Sequence, residues 1–127
     1  MDVLGAQASL ISTAPEGAAL YFIEPVDGAT VQSPFVVKFG LKGMGVAPAG
    51  IDIANTGHHH LLVNSPLVDE STPLPTSDQV RHFGGGQTEA EISLPKGTHQ
   101  LQLVLGNYLH IPHDPAVKSP TITITVR

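Results

Sequence analysis

The stretch EAEISLPKGTHQLQLVL, residues 89–105, decides the fold class. Ala90, Ile92 and Leu94 alternate with Glu89, Glu91 and Ser93, and Leu101, Leu103 and Leu105 alternate with Gln100 and Gln102. Successive side chains of a strand point to opposite faces, so each run describes a strand with one buried and one wet face. Pro95-Lys96-Gly97 between them is turn chemistry. The same period continues downstream, where Thr121 to Arg127 buries Ile122, Ile124 and Val126 and exposes threonines. Upstream, Phe35, Val37, Phe39 and Leu41 alternate, and the β-prone run Ala19 to Glu24 stops at Pro25 before an Asp27-Gly28 turn. His60-Leu61-Leu62-Val63 is a further apolar run, closed by Asn64-Ser65-Pro66.

Long loops separate these runs at 43–57, 65–81 and 106–120, and loops beyond about 12 residues are often functional. No segment carries a helical stripe of four turns. The expectation is an all-β chain, an immunoglobulin-like β-sandwich of six to seven strands over residues 19–127. Residues 1–18 are expected to be a flexible segment. Within it Ala6-Gln7-Ala8 fits the small-x-small pattern of a signal-peptidase site, so a signal-peptide remnant and a periplasmic or otherwise exported protein are expected.

Composition narrows the function. The 127 residues are 41% hydrophobic and 13% charged, which excludes a disordered acidic tail and a charge-laced coiled coil. Eleven acidic against six basic residues give a net charge of −5, unfavourable for nucleic acid or an anionic membrane surface. No apolar run approaches the roughly 20 residues of a helical membrane span, so membrane insertion is not expected. Cysteine is absent, which removes disulfides, thiolate metal sites and cysteine nucleophiles. Gly84-Gly85-Gly86 lacks the strand-to-helix setting and the lysine of a phosphate loop and reads as a turn.

Seven histidines outnumber all lysines and arginines together. In His58-His59-His60 the strand period sends 58 and 60 to one face and 59 to the other, with their Cα atoms roughly 6–7 Å apart, close enough for both imidazoles to reach one ion. Leu61 and Val63 share the parity of His59, so the core is expected to claim His59 while 58 and 60 face out; the opposite assignment, with Leu62 inside, stays open. His110-Ile111-Pro112-His113-Asp114 is the second cluster, with Pro112 limiting backbone freedom between its histidines. The expected metal ligands are therefore His58, His60, His110 and His113, with His82 next. Asp114 is expected to orient an imidazole through the ring nitrogen turned away from the metal. His99, with the parity of Leu101, reads as a half-buried structural histidine tied to backbone carbonyls. An all-imidazole donor set suits copper first and zinc second.

At these residues the chain resembles a known family. TGHHHLLV at 56–63, RHFGGGQTEAEISLPKGTHQLQLVLGN at 81–107 and HIPHDPAVKSPTITITV at 110–126 are similar to an uncharacterised bacterial, mostly periplasmic family, sometimes mislabelled as rod-shape-determining proteins. FIEPVDGATVQSPFVVKFGLKGMGVAPAG, residues 22–50, fits the same family. The resemblance implies an exported single-domain protein and supplies no activity. A looser, architectural likeness is to C-type copper-resistance proteins, periplasmic sandwiches whose site uses a free N-terminal histidine that this chain does not offer.

The combined expectation is a periplasmic, non-enzymatic metal-binding sandwich for copper storage, delivery or sensing, whose partners are the ion and another periplasmic protein. Two alternatives stand beside it. One is an envelope-interaction module without metal. The other is an open histidine-site metalloenzyme drawing an acid or base from Glu89, Asp114 or Asp78.

Overall fold

The computed structural model describes residues 10–67 and 69–127. Nine strands occur among them: β1 (Ala19–Glu24), β2 (Thr30–Val31), β3 (Phe35–Lys42), β4 (Gly45–Val46), β5 (Thr56–Val63), β6 (Val80–His82), β7 (Glu89–Ile92), β8 (Gly97–Gly106) and β9 (Ile122–Val126). Six of these are the runs read from the sequence. β2, β4 and β6 are additions of two or three residues, too short to leave a periodic signal.

The strands form two sheets, one in the order β1-β3-β7 and one in the order β2-β9-β8-β5-β4, with β6 on the free edge of β5. The Pro95–Gly97 turn carries the chain from the small sheet to the large one. The inward faces meet in one core: Leu20, Val37, Phe39 and Ile92 from the small sheet, and Leu61, Val63, Leu101, Leu103, Leu105, Ile122 and Ile124 from the large. This is the all-β sandwich that the alternation predicts, and among the described residues no helix is long and apolar enough to cross a membrane.

Two features differ from the sequence reading. β5 begins at Thr56, four residues before the apolar run, because Gly45 and Val46 pair with Thr56 and Gly57 in parallel and extend the strand. The outer face of β5 is also dry. Leu62 and Val104 pack there against Leu74 and Val80, with Leu67 at the margin, so the loop after β5 folds back as a cover. Seven consecutive residues of β5, Gly57 to Val63, are buried in consequence.

Residues 10–18, part of the segment 1–18 expected to be flexible, make hydrogen bonds and core contacts with the domain. Ser12 and Ala14 bond to the backbone of Asp114, Asn107 donates to the Leu10 carbonyl and to Ser12, and Ala14 joins the core. The Ala6-Gln7-Ala8 motif lies outside the described residues.

Candidate metal centre

Register alone places four elements of the site. In the β5–β8 pairing His58 stands opposite Gly106 and His60 opposite Val104, while in the β5–β6 pairing His60 stands opposite His82. Directly paired residues share a face, so His58, His60, His82 and Gly106 all lie on the outer face of the large sheet. His59 takes the inner face and stacks on Phe39 at 4.8 Å between ring centroids. The parity read from Leu61 and Val63 is the one observed. What differs is the environment: His58 and His60 face outward yet are fully buried, because the returning loops roof them.

His110 arrives from the loop after β8. That loop is shaped by Asn107, a buried amide whose oxygen accepts from the backbone of Leu109 and Ile111 and whose nitrogen donates to Leu10 and Ser12. The geometry drives His110 to φ 63°, a left-handed conformation that non-glycine residues adopt at a cost and that surrounding contacts must hold. The amide of Leu74 supplies one such contact, donating to the His110 carbonyl at 2.8 Å.

The result is a convergence of ring nitrogens. His110 Nδ1 lies 2.9 Å from His58 Nε2, 3.1 Å from His60 Nε2 and 3.0 Å from His82 Nδ1. Ligand atoms of His58, His60 and His110 fall within 4.8 Å of one another. Gly106 makes the convergence sterically feasible, since a Cβ there would stand 2.5 Å from Cε1 of the His60 ring.

Hydrogen bonding alone does not account for the arrangement. A ring nitrogen carries either one proton or one in-plane lone pair, so His110 Nδ1 cannot serve three nitrogens well at once. His58 Nδ1 and His60 Nδ1 are meanwhile buried without a hydrogen-bond partner. The Val104 carbonyl favours a proton on His60 without forming a bond of good geometry. Nitrogens bound to one ion at ~2.0–2.1 Å would stand roughly 3.3–3.6 Å apart, between the contacts to His110 and the 4.8 Å that bounds the trio, so adjustment of these rings by up to about an ångström converts the cluster into a ligand set.

Electrostatics favour the neutral form that metal binding requires. Burial, reinforced by neighbouring imidazoles, lowers the pKa of His58 to about 4 and that of His60 to about 2. Desolvation also lowers that of His110, with His82 contributing. An ion entering near neutral pH therefore displaces no proton from the buried pair.

Two expected participants are elsewhere. His113 lies by the inner face of β5, its Cε1 against Gly57, and its Nε2 donates to the Thr56 carbonyl at 3.1 Å. It anchors the start of β5 and does not join the trio. The cause is the turn between His110 and His113, which crosses the sheet end and sends the two rings to opposite faces. Asp114 is exposed and uses its backbone on residues 12–14; among the described residues its carboxylate bonds to no imidazole. The orienting acceptor is instead the Pro75 carbonyl, 2.8 Å from His82 Nε2. His99 has its expected structural role, with Nε2 bonded to the Pro95 carbonyl and Nδ1 to Asn64. Gly106 and Pro75 carried no readable signal, because glycine and proline punctuate loops everywhere in this sequence.

Among solved structures, the chain is similar to the endo-beta-1,4-mannanase from Thermotoga petrophila, at 20% identity and a TM-score of 0.53. The match covers 88% of this chain and 20% of that one, so the chain spans about a fifth of the enzyme, and the likeness is one of fold. No curated protein matches. The family model described as a domain of unknown function, DUF4399, matches residues 37–127, which hold β3 from its third residue, all of β4 through β9 and every histidine of the cluster. The chain belongs to that family, the DUF4399 domain of unknown function.

Proposed function

We propose that this protein is an exported, non-enzymatic metal-binding sandwich that holds a copper ion, with zinc as the second choice, for storage or delivery to another periplasmic protein. His58, His60 and His110 form the core of the ligand set, and His113 holds the strand that carries two of them. The observation that carries this reading is the crowding of His58 Nε2 and His60 Nε2 on His110 Nδ1 at 2.9 and 3.1 Å, inside a roof that keeps both β5 rings dry. An ion at the common point would replace nitrogen–nitrogen crowding with bonds to every lone pair. Copper is preferred because an imidazole set without thiolates follows the general affinity order, in which copper exceeds zinc. Export accords with the small-x-small motif at 6–8.

The test is elemental analysis of untagged protein isolated from the cell envelope, followed by copper and zinc titration of the stripped protein. One equivalent of copper, with a rise in Tm, is expected. The double variant His58→Ala/His60→Ala should lose binding while keeping the sandwich. Copper affinity unchanged in that variant would refute the assignment.

A further inference from the structure

We infer that His82 is a fourth ligand that closes the coordination shell, leaving a bound ion no position for water or substrate. The inference rests on the metal-binding reading above and adds to it the coordination number and the identity of the closing residue. β6 is a three-residue strand on the edge of β5, and its register sets His82 directly opposite His60, with ring centroids 4.4 Å apart. Its Nε2 lies 2.8 Å from the Pro75 carbonyl. A carbonyl only accepts, so Nε2 carries the ring proton and Nδ1 is left with its lone pair. That Nδ1 is the atom 3.0 Å from His110 Nδ1. Metal-bound histidines commonly donate their other ring N–H to a carbonyl or carboxylate, which fixes tautomer and orientation together. His82 is already held this way.

One dipeptide governs both rings at the mouth of the site. Leu74 donates to the carbonyl of His110, and Pro75 accepts from the ring of His82. The roof that dries His58 and His60 thus also positions the two half-exposed histidines. His82 Nδ1 touches His110 from outside the 4.8 Å group of His58, His60 and His110, so the ring moves inward to share an ion with the other three. Structural metal sites are closed in this manner, whereas catalytic sites keep an open position. The arrangement assigns the protein to retention of an ion and not to chemistry on a substrate.

The experiment loads wild type, His82→Ala and His82→Gln with copper(II) and titrates azide, following visible absorption and electron paramagnetic resonance. Wild type should show a four-nitrogen spectrum that azide leaves unchanged. Both variants should bind copper(II) at least tenfold more weakly and take up azide, and added imidazole should restore the wild-type spectrum in His82→Ala. The glutamine variant can still donate to Pro75 but lacks the imidazole lone pair, so it separates ligation from support of the roof. Azide binding to loaded wild type, or unchanged affinity and spectra in both variants, would overturn the inference. Failure of wild type to take up copper(II) or zinc(II) would instead overturn the metal-binding reading itself.

Discussion

Acidification of the metal-free protein should unfold it well above the pH at which carboxylates protonate. His58, His59 and His60 are fully buried, and desolvation lowers their pKa values from 6.5 to about 4, about 4 and about 2. In the unfolded chain each returns to about 6.5. Above that pH both states are neutral and stability is flat. Below it the unfolded chain binds protons that the folded protein refuses, so stability falls with pH until the folded values are reached. Each group contributes about 1.4 kcal/mol per pH unit, and the three together about 4 kcal/mol per unit. From pH 8 to pH 5 the loss reaches about 6 kcal/mol, comparable with the whole stability of a small domain. Urea unfolding followed by far-ultraviolet circular dichroism at half-unit intervals from pH 8 to 5 measures the slope. His59→Leu, which leaves Phe39 an apolar partner, should lower that slope by about a third. It should also raise stability at pH 7, because both ring nitrogens of His59 are buried without partners. A slope under about 1.4 kcal/mol per unit in wild type would refute the claim that the triplet is buried and neutral.

Gly106→Ala would drive a methyl group to 2.5 Å from the His60 ring. Overpacking of this kind costs about 1–3 kcal/mol, and the displaced ring should weaken copper binding at least tenfold by isothermal titration. Asn107→Ala removes four hydrogen bonds from a buried amide, so denaturation should report a loss of about 2–4 kcal/mol together with weaker metal binding, since the His110 loop loses its brace. His99→Ala removes bonds to Pro95 and Asn64 remote from the cluster and should cost about 1 kcal/mol while leaving copper affinity unchanged.

Much of the fold was legible because a sandwich strand must bury every second residue. Ala90, Ile92 and Leu94 announce β7 and the chain beyond it, and Leu101 to Leu105 announce β8, without reference to any partner. Leu61 and Val63 likewise orient the histidine triplet. β2, β4 and β6 escaped because two or three residues cannot display a period. They exist because a neighbouring strand offers free backbone groups. Outward orientation of His58 and His60 was readable, but their burial was not, since that depends on where Leu74 and Val80 return.

The histidine count, the missing cysteine and the spacing within the triplet determine, from the sequence alone, which donor atoms are available and which two rings share a strand face. The tertiary structure decides that His110 and not His113 meets them, because a left-handed residue and a crossing turn separate two rings only three positions apart. It also decides the space at Gly106 and the proton on His82, each set by a group distant in sequence. Periodicity is a property of a segment, whereas convergence is a property of loops closed over dozens of residues, so only the folded chain contains it.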